Sequence, residues 1–192
     1  MKGEWCYFKN HFSKETCEKI LEIIKTRPYS EATIGLGAGK IGSDNSFRRS
    51  KIRFAQKTDN ELSFVFKELW ELALWANNDW FNFHISKLDY IQVAEYDESY
   101  SGEYKRHVDV FWLNNDPFYH RKLSCIIQLT DPSEYEGCDL ELYDLTHYPN
   151  KDELRQRGTV IFFPSTIPHA ATPITKGTRY SIAAWFDGPK WR

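Results

Sequence analysis

The chain has 192 residues, 41% hydrophobic and 27% charged, which fits one globular domain over residues 1–192 and excludes a disordered polymer. Lys and Arg number 25 against 27 Asp and Glu, a formal charge of −2, so nucleic-acid binding through bulk positive charge is excluded. Aromatic residues are abundant, with 7 Trp, 11 Tyr and 13 Phe, enough rings to fill a core and wall a concave site.

No apolar run reaches the roughly 20 residues of a membrane helix. Met1-Lys2-Gly3-Glu4-Trp5 lacks the apolar stretch of a signal peptide. Cys6, Cys17, Cys125 and Cys138 show no C-x-x-C spacing and read as free, buried thiols. The expected location is cytoplasmic, where thiols stay reduced.

In chain order, Ser13 can cap a helix over Lys14–Lys25, with Cys17, Ile20, Leu21 and Ile24 on one face and Pro28 past its end. Ile34-Gly35-Leu36-Gly37-Ala38-Gly39-Lys40 fails as a phosphate loop. Ile34 stands where the first Gly belongs, and Ile41 follows the lysine. The span Gly35–Gly42 reads instead as a glycine-rich candidate lid. The charges of Arg48, Arg49, Lys51 and Arg53, like those of Lys105 and Arg106, read as a solvated face. A second helix is expected over Asn60–Ala76, capped by Asn60, with Leu62, Val65, Phe66, Leu69, Leu72 and Ala73 at three-four spacing.

From about residue 86 the texture changes to short β-rich runs: Leu88–Tyr96, Leu123–Leu129, Asp139–Tyr143, Thr159–Phe163 and Arg179–Phe186. In the first run Tyr90, Gln92, Ala94 and Tyr96 fall on the face opposite Ile91 and Val93. Asn115-Asp116-Pro117, Asp131-Pro132 and Tyr148-Pro149-Asn150 mark turns between the runs. The expectation is an α+β, mainly β fold. Helical support over about 1–85 packs on one sheet of a sandwich or barrel over about 86–192.

His107-Val108-Asp109 carries the chemistry. On an extended chain residues i and i+2 share a side, so one imidazole and one carboxylate can aim at a single point. His169, just after the apolar run ending in Phe163, supplies a third candidate ligand. Two histidines and a carboxylate form the facial triad of non-haem Fe(II) oxygenases, which leaves positions open for substrate and dioxygen. Arg179 and Ser181 can clamp a distal carboxylate from one strand face. His11, His84, His120 and His147 have no matching partners and read as solvated or hydrogen-bonded.

With these pieces in place, the stretch from about Tyr90 to Trp185 resembles the Fe(II)/2-oxoglutarate-dependent dioxygenases, in their prolyl 4-hydroxylase-like branch. The matching residues are Tyr96, His107-Val108-Asp109, Leu129, Glu136-Gly137-Cys138-Asp139-Leu140, Gly158, His169, Gly177-Thr178-Arg179-Tyr180-Ser181 and Trp185. The resemblance implies a double-stranded β-helix (jelly-roll). It implies Fe(II) on His107, Asp109 and His169, and 2-oxoglutarate on Arg179, with Tyr96, Ser181, Gln128, Gln92 and Trp185 around it. O2 is the second co-substrate and ascorbate an optional reductant. The implied reaction hydroxylates an unactivated C–H bond and releases succinate and CO2, with a prolyl residue in a peptide or protein as favoured substrate. No nucleic-acid or membrane partner is implied. Arg49-Ser50 resembles an Arg-x-Ser element near the substrate groove. Cys138 departs from the family, which often has a second Gly there; the change is expected to alter the strand entry and the pocket floor but to touch no ligand. Hydroxylation of a free amino acid or other small molecule, a jelly-roll using another metal without 2-oxoglutarate, and a non-catalytic binding module stay open.

Overall fold

The computed structural model describes residues 2–35, 41–110 and 116–191. Helix α1 (Lys14–Lys25) forms as its pattern predicts. The Ser13 hydroxyl accepts from the Thr16 N–H at 3.2 Å, and Cys17, Ile20 and Ile24 are buried. Helix α2 (Ser63–Ala76) begins at Ser63 and not at Asn60. The acceptor at its start is Asp59, whose Oδ1 takes the N–H groups of Glu61 and Leu62, each at 3.1 Å. A π-helical turn, Asn77–Phe81, follows directly.

The strands in chain order are β1 (Cys6–Phe8), β2 (Ser30–Glu31), β3 (Ile34–Gly35), β4 (Ile41–Gly42), β5 (Arg48–Arg49), β6 (Lys51–Gln56) and β7 (Tyr90–Asp97), followed by β8 (Glu103–His107), β9 (Tyr119–Gln128), β10 (Tyr135–Gly137), β11 (Leu140–Leu142), β12 (Val160–Pro164), β13 (His169–Ala171) and β14 (Ile174–Pro189). Among the described residues a large sheet runs β1-β12-β9-β14-β7-β6-β2, with β10 also on β14. A smaller sheet runs β11-β13-β8-β5, and β3 pairs with β4. Residues of both sheets line one cavity, which is the expected jelly-roll arrangement. Of the expected lid, Gly35–Gly42, the centre at 36–40 lies outside the described residues.

Strand alternation sorts the large sheet into two faces. Ile91 and Val93 on β7, Leu123, Cys125 and Ile127 on β9, and Ile182, Ala184 and Phe186 on β14 point to the helices. They join Ile20, Ile24, Leu62 and Leu69 in one buried core. The alternate residues of β7 and β14, with Ile126 of β9, line the cavity. Helix burial thus fixes which side chains reach the site, since a one-residue slip would turn every one of them to the wrong face.

The N-terminal segment is not purely helical support: β1, β2 and β6 extend the large sheet and β5 the small one. The basic run is corrected with it. Arg48 and Arg53 are buried, not solvated. Arg53 Nη1 donates to Glu95 Oε2 at 2.9 Å, so its charge is paired across β6 and β7. Gly158, at φ +80°, leads into β12 where a Cβ would lie 1.8 Å from the Phe12 carbonyl oxygen, so the backbone contact there excludes any side chain.

Candidate active site

β8 and β13 pair with His107 directly opposite His169. The chain then leaves the strand, and the N–H groups of Asp109 and Val110 both donate to the Ser165 carbonyl, at 2.9 and 3.1 Å. That turn brings the Asp109 carboxylate between the two imidazoles. His107 Nε2 lies 3.8 Å from Asp109 Oδ1, and His169 Nε2 lies 3.4 Å from Oδ2. One donor atom from each residue falls within 4.8 Å of the others.

Each donor is held from behind. His107 Nδ1 is 2.8 Å from the Lys105 carbonyl oxygen and His169 Nδ1 is 3.0 Å from that of Ile167. A carbonyl only accepts, so each Nδ1 donates its proton there and each Nε2 is turned toward Asp109. Ser124 Oγ donates to Asp109 Oδ2 at 2.6 Å and contacts Ser165 Oγ at 2.9 Å. The Tyr104 ring stacks on His107 with centroids 3.5 Å apart, and Phe163 meets His169 edge-on at 4.8 Å.

Burial and the neighbouring His169 hold His107 down to about 3. Burial pushes the Asp109 carboxyl up, but His169, His107 and Arg121 outweigh it and hold the group at about 2. At neutral pH the pair is a neutral imidazole and an ionised carboxylate, the forms that bind a metal. Two nitrogens and one carboxylate oxygen on one side, each oriented by its own hydrogen bond, fit a hard-to-borderline ion such as Fe(II) with positions left open.

A cavity of about 500 Å³ connects this centre to Arg179. Its walls include Tyr90, Gln92, Ala94 and Tyr96 from β7 and Arg179, Ser181, Ala183 and Trp185 from β14, the faces that alternation predicts. Arg179 is 2% exposed. Its Nε and Nη2 donate to Gln128 Oε1 at 3.1 and 2.8 Å, and its Nη1 donates to Cys138 Sγ at 3.6 Å. Among the described residues no carboxylate pairs with it. A buried cation facing a cavity without a counter-charge is costly, and a ligand anion would relieve that cost.

Tyr96 stands opposite Arg179 in the β7–β14 register, whereas Trp185 stands opposite Ser124, beside the metal ligands. The wall therefore runs from a cationic end to an aromatic end. At the aromatic end Tyr90 lies between Phe54 and Trp185, with ring centroids 5.7 and 5.8 Å away. Arg121 covers Trp185 at 3.9 Å and donates to the Tyr90 hydroxyl at 2.7 Å.

Several expected placements change. Gln128 stands behind Arg179 and does not line the cavity. The sulfur of Cys138 contacts Arg179, because the turn before β11 aims it inward. In the Arg-x-Ser element the inward arginine is Arg48, whose Nε donates to Ser50 Oγ at 2.9 Å. Arg49 turns outward to Glu103 at 2.9 Å. His120 is buried and lies off the cavity wall, and His11 is hydrogen-bonded to Glu68 at 2.6 Å, in keeping with a role outside the site. Sequence reasoning missed Arg48, Tyr104 and Ser124. Only strand alternation in β9, where Ser124 interrupts the apolar run Leu123–Leu129 on the inner face, offered a signal for one of them.

The fold and site define a class: a jelly-roll whose two sheets enclose a His-Asp-His metal-binding centre and a buried arginine. The family model described as the 2OG-Fe(II) oxygenase superfamily matches residues 91–187. The chain belongs to that superfamily, and the family's Fe(II), 2-oxoglutarate and O2 fit the residues present. It is 28% identical over 154 residues to a PKHD-type hydroxylase of Aliarcobacter butzleri (strain RM4018), covering 78% of this chain and 66% of that protein. It is 29% identical over 175 residues to a PKHD-type hydroxylase of Synechococcus sp. (strain CC9311), covering 90% and 73%. The chain thus spans about two thirds to three quarters of these relatives' lengths. A Pseudomonas putida prolyl-4-hydroxylase superposes with a TM-score of 0.72 at 17% identity, covering 96% of this chain and 92% of that one. A Trichoplax adhaerens prolyl hydroxylase, solved in complex with a hypoxia inducible factor peptide fragment, gives 0.73 at 20% identity, covering 96% and 83%. At these identities the two structures establish the shared fold.

Proposed function

We propose that this chain hydroxylates an unactivated C–H bond of a prolyl residue in a peptide or protein, consuming 2-oxoglutarate and O2 and releasing succinate and CO2. The observation that carries the reading is the one cavity running from the donors of His107, Asp109 and His169 to the Arg179 guanidinium. Fe(II) bound with 2-oxoglutarate supplies the oxidising chemistry. The chain's own residues bind, orient and exclude water.

Arg179 takes the distal carboxylate of 2-oxoglutarate as a bidentate partner. Tyr96 and Ser181 line the same cavity and supply hydroxyls as further donors, and Gln92 lines it as well. The backbone carbonyls of Lys105 and Ile167 keep the Nδ1 protons in place, so both Nε2 atoms stay available as ligands throughout. No side chain acts as nucleophile. Phe54, Tyr90 and Trp185 offer a prolyl ring an apolar face beside the metal ligands, with Trp185 shared between substrate and cofactor. The peptide in complex with the Trichoplax adhaerens enzyme supports a peptide substrate here.

A second reading is a small acidic substrate, such as a free amino acid. Arg48 favours it: the side chain is buried, lines the same cavity and has no carboxylate partner among the described residues. Succinate release measured over proline-rich peptides and free amino acids, with Fe(II), 2-oxoglutarate and ascorbate, separates the two. The first reading expects peptides to gain one oxygen atom on a prolyl residue. Turnover confined to free amino acids would replace it with the second.

A further inference from the structure

Cys138 is fully buried and sits in the left-handed region at φ +51°. A side chain larger than glycine is uncommon and strained there, and persists only where the surroundings over-determine it. Gly137, at φ +73°, passes so close to Pro173 that a Cβ would lie 2.4 Å from its carbonyl oxygen. The Cys138 N–H donates to that same oxygen at 3.1 Å, and the Asp139 N–H donates to Thr172 Oγ1 at 2.8 Å. From outside, Arg155 donates to the carbonyls of Gly137 and Tyr135, at 3.0 and 3.1 Å, and pairs with Asp139. The turn is pinned on both flanks, and its one inward side chain sets a sulfur against Arg179 Nη1.

A guanidinium has five N–H groups. Gln128 Oε1 takes the one on Nε and one on Nη2, and Cys138 Sγ takes one on Nη1. One N–H on each terminal nitrogen is left. Both partners are neutral, so neither quenches the charge. We propose that Cys138 and Gln128 form a neutral cradle that turns Arg179 so that only its end-on pair of N–H groups is offered to the cavity. This makes Cys138 a positioning residue for the distal carboxylate of 2-oxoglutarate. The inference rests on the reading that Arg179 receives that carboxylate.

The test is calorimetric titration of 2-oxoglutarate, and of the longer 2-oxoadipate, into the Mn(II)-loaded protein, with thermal melting of every variant. Cys138→Gly suits the left-handed backbone and keeps its fold. It is expected to bind 2-oxoglutarate about fivefold more weakly, the loss of one weak hydrogen bond to a charged donor, and to prefer it less over 2-oxoadipate. Gln128→Glu keeps the shape of the cradle but supplies a carboxylate, and is expected to weaken binding by about a hundredfold or more because Arg179 is then already paired. Arg179→Ala tests the underlying reading. Wild-type affinity and preference in Cys138→Gly and Gln128→Glu, with binding lost in Arg179→Ala, would overturn the cradle alone. Unchanged binding in Arg179→Ala would instead remove the reading beneath it.

Discussion

Asp109 and Ser124 show how the centre is built from single side chains. Asp109 is the one anionic donor in the triad, and Ser124 fixes which of its oxygens turns to His169. Asp109→Ala should lower Mn(II) or Fe(II) affinity by about a hundredfold or more in an anaerobic titration. Ser124→Ala, which removes only the supporting hydrogen bond, should cost roughly tenfold. Equal losses for the two would contradict the division of roles. The same residues set an acid limit on the metal-free protein. His107 is held at about 3 against 6.5 unfolded, so the unfolded chain binds the extra proton between those values. Stability from this group is complete above pH 6.5 and is lost as pH falls toward 3. Thermal midpoints of the apo protein should drop across that window, and the drop should be shallower in His107→Ala. At this scale the convergence of His107, Asp109 and His169, and the placement of Arg179 and Ser181 on one cavity wall, were legible in their spacing. Arg48 and Ser124 were not, because they reach the site only through pairings between segments distant in sequence.

The elements differ in how much they reveal. β7 and β14 were legible in outline, since the alternation of Tyr90, Gln92, Ala94 and Tyr96 with Ile91 and Val93 separates a cavity face from a helix face. β8 and β13 carry two of the ligands yet gave no strand signal. They are only five and three residues long, and their hydrogen bonds come from each other and from β5 and β11. β6 was hidden by its charges, because Arg53 is buried by pairing with Glu95 and not by being apolar. The close approach at Gly158 ties the N-terminal segment to β12: the Phe12 N–H donates to the Gly158 carbonyl at 3.0 Å. Gly158→Ala, at φ +80° with a Cβ clash against backbone, should cost more than about 1 kcal/mol by denaturant unfolding. A neutral result would show that the Phe12–Gly158 contact yields easily.

Across the whole molecule, helices cover one face of the large sheet while the other face, with the small sheet, encloses the cavity. Among the described residues no helix is long and apolar enough to cross a membrane. The division of the sheet into a greasy and a polar face lets one register serve both stability and the site: Ile182 and Ala184 pack on the helices while Ser181 and Ala183 line the cavity. The proposed function requires His107, Asp109 and His169 to hold Fe(II) within reach of a 2-oxoglutarate anchored on Arg179. Anaerobic titration with Fe(II) and then 2-oxoglutarate, followed by visible absorption, tests it most directly. A weak charge-transfer band should appear only when both are present, vanish in Asp109→Ala, and need far more 2-oxoglutarate in Arg179→Ala. No band at saturating Fe(II) and 2-oxoglutarate, or a band indifferent to both substitutions, would contradict the account.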